Sequence, residues 1–431
     1  MARIVLQSFG SWGDVQPFIR LGRALKQKGH IAVIATLPHY QPAILEARLE
    51  FYPIRPYIDP TDPDLLKRSM QPMSGFCYLL KRVAFTNLDE TYVDTLNATA
   101  DADVFVTGSL SFLGPLIAAR QGIPWVRGVL QPSLLLSRYD PPLFAATLTG
   151  RCIQRSKPLY SFLVAWLRCH SRVWAKPLFE LEKRSGLSDI ITANTSTMTS
   201  NNHLKQPETS LNHPIFGTRG SQQTLALFSK HFAPPQADWP ANTLTTGFLF
   251  DDAAASLPRE LAAFISSGSA PIVITLGSAA IQQGQDLIPR LIQATRALNR
   301  RVVVVSDTVS LTRQIDKVMM IKKAHHSALF PHAGVIVHHG GMGTTADALR
   351  AARPTLVLPF SQDQPDHALR VDRLGVGLML NPQVAAVRNI QRKLRRLIKE
   401  PSFEKNVQVL TSKLEQENGL TIACDAIEAV L

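Results

Sequence analysis

Residues 333–360, AGVIVHHGGMGTTADALRAARPTLVLPF, gather two histidines, three glycines and two threonines where a strand pattern turns into a helix pattern. Gly340, Gly341 and Gly343 leave backbone N–H groups free of side-chain cover, so an anion such as a diphosphate can approach closely. Thr344, with Asp347 three residues on, has the spacing of a capping box, and the helix it opens would point its positive end at the loop. Taken alone, the loop fits an ordinary βα turn equally well, with His338 a core histidine. The next strand, TLVLPF, runs into Ser361-Gln362-Asp363-Gln364-Pro365. That puts an acid and an amide at the strand edge where open α/β sheets bind ligands. Together they offer the donors and acceptors a sugar needs, although Asp363 could instead cap a helix starting near Pro365.

A second acid stands near the start of the chain. Ile4 to Leu6 reads as a short strand, SFGSWGD as a glycine-bearing turn, and Val15 to Lys28 as a helix with Phe18, Leu21 and Leu25 on one face. Pro17 suits its first turn and Gly29 its stop. IAVIAT then completes a βαβ unit, which places Asp14 in the loop at the mouth of a doubly wound domain. The plainer use of Asp14 is an acid complementing a helix dipole.

HHGGMGTT followed by PFSQDQ, together with GSWGDVQPFIRLGRALKQKGH near the start, resembles the UDP-glycosyltransferase superfamily. The likeness is greatest to the branch of sterol glucosyltransferases, glycopeptide-antibiotic glycosyltransferases and rhamnolipid rhamnosyltransferases. It implies an α/β fold of the GT-B type, two Rossmann-like parallel-sheet domains facing a cleft, with a C-terminal helix crossing back to the first domain. It also implies an inverting hexosyl transfer from a UDP- or dTDP-sugar to a hydroxyl of a hydrophobic acceptor, with Asp14 as general base. By the same resemblance His338, Gly340, Gly341, Gly343 and Thr344 contact the diphosphate, Asp363 and Gln364 hold sugar hydroxyls, and Gly277-Ser278 form another phosphate-contacting turn. His325 is expected beside the base, and Trp12 and Phe112 on the acceptor side. No metal or other cofactor is implied. An aspartate of ordinary pKa, about 3.9, is a poor base for an alcohol, so Asp14 needs apolar surroundings or a late proton transfer. GSLSFLGPLIAARQGIPW and FAPPQADWP are similar to the rhamnosyltransferases acting on hydroxy-fatty-acid lipids. That acceptor, a nucleotide-sugar epimerase and a non-catalytic binder are the alternatives.

Competing chemistries fit less well. GSWGD lacks the G-x-G-x-x-G spacing of dinucleotide folds, and the second strand ends Thr36-Leu37-Pro38-His39 without the acid that holds a ribose. There is no Walker motif. The histidine pairs at 325–326 and 338–339 lack metal-ligand spacing, because neighbours on an extended chain point to opposite sides. Four separated cysteines without C-x-x-C read as thiols.

The 431 residues, 45% hydrophobic and 18% charged, suit two domains. The proline-dense stretch 232–240 is the expected linker, giving an acceptor-binding domain over 1–235, a donor-binding domain over 241–402 and a helical tail over 403–431. In the second half, PIVITLGS, RVVVVSD, GVIVHHGG and TLVLPF alternate with helix-length segments, which predicts a parallel sheet. No leader pattern or membrane-length apolar run occurs, so a cytoplasmic protein is expected. A net charge of +13 calls for an anionic partner. Nucleic acid is disfavoured by the lack of a basic arm, zinc-finger spacing or RNP-like strand. Residues 151–184 interleave eight basic residues with aromatics, a pattern suited to peripheral contact with an anionic membrane or to a solvated helix with its aromatics turned inward. The run RKLRRLIK at 392–399 reads as a solvated helix face.

Overall fold

A computed structural model describes residues 1–71, 74–188, 191, 220–250, 256–277, 286–307, 309 and 312–431. Short β-branched runs become parallel strands because both faces of each are covered by helices. The first sheet holds β1 (Arg3–Gln7), β2 (Ile31–Thr36), β3 (Glu50–Pro53), β4 (Val104–Thr107), β5 (Trp125–Val129), β6 (Gln223–Ala226) and β7 (Thr243–Thr245) in the order β3-β2-β1-β4-β5-β6-β7, all parallel. The second holds β8 (Ile272–Thr275), β9 (Val302–Val305), β10 (Arg313–Ile315), β11 (Val318–Ile321), β12 (Val335–His338), β13 (Thr355–Val357) and β14 (Gly377–Met379) in the order β10-β11-β9-β8-β12-β13-β14. Only the β10–β11 pair is antiparallel. The four predicted runs of the second half are β8, β9, β12 and β13.

The order reverses between β1 and β4 in one sheet and between β8 and β12 in the other. A crevice opens at each such point, because the chains leaving the two strands diverge to opposite sides. Asp14 follows β1; Gly277 follows β8, and the glycine loop follows β12.

The boundary between the domains lies further on than the proline count suggests. The stretch 232–240 is a packed turn within the first domain, with Phe232, Ala233 and Trp239 buried, and β7 beyond it still pairs with β6. Prolines there shape a turn whose apolar residues belong to a core shared by both domains. That core joins Val129, Leu135, Leu143, Phe228 and Phe248 to Leu349, Val357, Val371, Val407 and Leu414. Of the tail expected to pack back on the first domain from residue 403 onward, only the last helix does so. The helix Pro401–Leu414 packs against the second domain, where Thr411 Oγ1 donates to Leu349 O at 2.6 Å. The helix Gly419–Glu428 returns to the first, burying Ala423, Cys424 and Ile427. Full burial of one such isoleucine contributes about 1.5–3 kcal/mol. The exposed pairs of Lys28 with Asp425 and Glu428 add less to this docking. Among the described residues no helix is long and apolar enough to cross a membrane.

Candidate active site

The helix after β1 begins at Trp12, earlier than its apolar periodicity suggests, because Ser11 serves as its N-cap. Asp14 therefore stands in the first turn of that helix and not in the preceding loop. Its Oδ2 accepts from Ser11 N at 2.8 Å and from Ser11 Oγ at 2.8 Å. Its Oδ1 receives one long bond, from Gln131 Nε2 at 3.5 Å, and Ser109 Oγ donates to Gln131 Oε1 at 3.3 Å. Asp14 thus plays the capping role open to any first-turn acid while keeping one oxygen with spare lone pairs. Gly10 makes this possible: at φ +121° its missing Cβ would sit 2.5 Å from Asp14 Oδ2. Burial raises the Asp14 pKa from 3.8 to about 6 against the Ser11 hydrogen bonds, and the negative charge of Asp363 adds to the rise. Trp12 is 45% exposed and leans on Tyr40 at the outer lip, ring centroids 5.9 Å apart. Phe112 is buried in the core of the first domain, 5.5 Å from Phe85 between ring centroids.

In the second domain the glycine loop follows β12. The helix Met342–Arg350 is capped by Gly341, three residues before the expected Thr344 cap. Thr345 N and Oγ1 both bond back to Gly341 O, and Asp347 pairs with His326 at 3.1 Å, so the Thr344–Asp347 capping box does not form. A glycine cap leaves the first helical N–H groups, those of Met342, Gly343 and Thr344, without a side-chain acceptor. Space around Gly343 is open: a Cβ there would have no neighbour within 4 Å. A helix start of this kind can receive an anion.

The two histidines divide the work between them. His338, at the end of β12, has no accessible surface, and its Nδ1 accepts from Gly340 N at 3.1 Å. It fixes the loop from inside and does not face the cleft, contrary to the diphosphate contact inferred from resemblance. His339 points the other way, and its Nδ1 accepts from Gly277 N at 3.1 Å. Added Cβ atoms at Gly277 and Gly341 would lie 2.9 Å and 2.6 Å from the His339 ring. His339 therefore bridges both glycine turns. Burial and the neighbouring histidines push its pKa down to about 4, so it is neutral with Nε2 carrying the proton. Ser278 lies outside the described residues. His325 is exposed at the start of the short helix His326–Leu329.

Beyond β13, Asp363 occupies the N-cap position of the helix Gln364–Arg373 but makes no cap bond with its side chain. Its carboxylate lies 3.6 Å from His367 Nδ1. Burial raises its pKa, and His367 opposes that rise. Gln364 is inward: Oε1 accepts from Phe360 N at 2.9 Å, and Nε2 points to Met70 Sδ at 4.0 Å. Gln362 Nε2 donates to Ser69 O at 2.6 Å, so the end of the helix Pro63–Ser69 reaches this loop from the first domain. Asp363 is the more accessible of the pair, being only partly buried. Gln131, His339, Gly10 and Met70 are the site residues that motif reading passed over. The histidine doublet alone carried a signal, since alternation on a strand requires one ring to point inward and the other outward.

Two parallel-sheet domains, a bare helix start on one and a buried carboxylate on the other, make up the GT-B architecture. Residues 290–422 match the family described as the C-terminal domain of erythromycin biosynthesis protein CIII-like proteins. The chain is 27% identical to an O-mycaminosyltylonolide 6-deoxyallosyltransferase of Streptomyces fradiae over 99% of its own length and 97% of that protein. It is 26% identical to a sterol 3-beta-glucosyltransferase of Arabidopsis thaliana over 87% of its length, but spans only 57% of that relative. Of a fungal sterol 3-beta-glucosyltransferase, from Leptosphaeria maculans, it spans 28%. Among solved structures, the spinosyn forosaminyltransferase SpnP superposes with a TM-score of 0.68 at 17% identity, covering 100% of this chain and 99% of that one. The glycosyltransferase VinC in complex with dTDP gives 0.65 at 19% identity, covering 99% of each. The chain has the GT-B fold and is similar along most of its length to named glycosyltransferases, in keeping with the resemblance read from its motifs.

Proposed function

We propose that this protein moves a hexosyl group, with inversion, from a UDP- or dTDP-sugar to a hydroxyl of a hydrophobic acceptor such as a polyketide, sterol or lipid. The observation that supports the reading most is that the buried carboxylate of Asp14, from the first domain, feels the charge of Asp363 from the second. In the reaction, Asp14 Oδ1 takes the proton of the acceptor hydroxyl as its oxygen bonds to the anomeric carbon and the bond to the diphosphate breaks. A carboxylate with a pKa near 6 is a stronger base than an exposed aspartate. The N–H groups of Met342, Gly343 and Thr344 and the Nε2–H of His339 stabilise the charge gathering on the departing diphosphate. Asp363 holds sugar hydroxyls, and Gln364 keeps its loop in shape. A metal is not needed for this charge balance, and the protein works in the cytoplasm.

The acceptor class is supported by the macrolide and sterol transferases among the relatives. The test is a panel of nucleotide sugars read by released nucleoside diphosphate, with and without hydroxylated macrolides, sterols and hydroxy-fatty-acid lipids. Release that requires one of these acceptors is expected. Conversion of donor without acceptor would make the protein an epimerase, and binding without turnover would make it a binder.

A further inference from the structure

The helix Lys157–Trp174 buries one face and leaves an apolar stripe on the other. Tyr160 and Val164 pack inward on Leu136 and Phe144. Leu159, Phe162, Trp166 and Val173 point outward, exposed by 50%, 71%, 39% and 70%. Their spacing of three, four and seven residues puts them on one line along the helix. Leu148, 84% exposed, extends this surface onto the preceding helix, Leu148–Arg155. A second, outward stripe is not needed for folding, and exposed apolar surface of this kind marks an interaction site.

The charge around the stripe identifies the partner. From 148 to 179 the sequence contains no aspartate or glutamate, while Arg151, Arg155, Lys157, Arg168, Arg172 and Lys176 supply six positive charges. Of these, Arg155, Lys157 and Arg172 are exposed, as is Lys176, which pairs with Glu180 at 3.6 Å on the following helix. A second copy of the chain docking here by two-fold symmetry would set the same positive charges against one another. An anionic lipid surface meets both requirements, receiving the aromatic side chains among its acyl chains and the basic ones among its headgroups.

We infer that the outward face of the helices 148–155 and 157–174 is a docking surface for an anionic bilayer. The helix rests, through Tyr160 and Val164, on the loop that begins at Gln131 beside Asp14. Docking therefore holds the acceptor side of the cleft close to a membrane, where an apolar acceptor accumulates.

The test uses the full chain with vesicles of phosphatidylcholine alone and vesicles rich in phosphatidylglycerol, with binding read by flotation at low and high salt. Binding to the anionic vesicles only, weakened by salt, is expected. It should fall by about tenfold or more both in Phe162→Ser/Trp166→Ser and in Arg155→Gln/Lys157→Gln/Arg172→Gln, with thermal melting unchanged. Three results would overturn the inference: no binding to anionic vesicles at low salt, undiminished binding by the Phe162→Ser/Trp166→Ser variant, or a dimer in solution that the same variant dissolves. None of these readouts depends on sugar transfer, so the docking surface and the enzymatic reading stand or fall separately.

Discussion

Asp14 caps a helix and, in the proposed reaction, serves as the base, and the two roles fall on different oxygen atoms. Oδ2 is occupied by Ser11 and Oδ1 is held only by Gln131. Because burial lifts its pKa to about 6, kcat/KM should fall tenfold per pH unit below pH 6, where an unperturbed aspartate would hold activity to near pH 4. Gln131→Leu removes a bond that favours the ionised form, so the acidic limb of the kcat/KM profile should move to higher pH. A limb that stays in place would show that Gln131 does not position the base. Linkage gives a second readout. The folded state holds this proton more tightly than the unfolded chain between pH 4 and pH 6, so the stability contribution is lost as pH rises through that window. At this scale the sequence disclosed the residue types and left their directions open. Nothing in Gln131, alone between a strand and a proline, marks it as a partner of a residue more than a hundred positions away.

Elements were legible where their pattern was long or repeated, as in β8, β9, β12 and β13. The hairpin β10–β11 and the edge strand β14 are of similar length but, as RQI, VMMI and GLM, are poorer in the β-branched residues that mark those four strands. Helix starts moved for a local reason: at residues 11 and 341 the cap is set by how the loop leaves its strand, not by the nearest threonine or apolar repeat. The glycines of the loop separate into two kinds. Gly340 has φ +96°, and a Cβ would lie 2.9 Å from Val357 Cγ1. Gly340→Ala should destabilise the fold by about 1–3 kcal/mol, read by denaturant unfolding. Gly343 sits in open space inside the first turn, so Gly343→Ala should leave the fold as stable or up to about 1 kcal/mol more stable. It should nevertheless weaken nucleoside diphosphate binding in titration calorimetry. Equal effects of the two variants on unfolding would contradict the division.

The whole molecule is held closed by groups the sequence gives no means of pairing. Arg370 Nη1 meets Asp140 of the first domain at 2.5 Å while its Nε meets Asp366 at 2.9 Å. Burial opposes the charge on Arg370, and the two carboxylates outweigh it. Arg370→Ala leaves Asp366, 1% exposed, without its cation, and should cost about 3–5 kcal/mol in denaturant unfolding. A loss below 1 kcal/mol would remove this network from the account of the domain interface. The two-domain plan and the returning tail were readable from length, alternation and resemblance. The boundary was not, because prolines mark turns whether or not a domain ends there. At this scale the central claim is that the first domain supplies the base and the second binds the donor, which one variant tests most directly. Asp14→Asn should lower turnover by about 10²–10⁴ while the dissociation constant for the nucleotide-sugar donor, measured by titration calorimetry, stays within about twofold of the unmodified protein. Near-normal turnover in that variant, with the same donor affinity, would contradict the account.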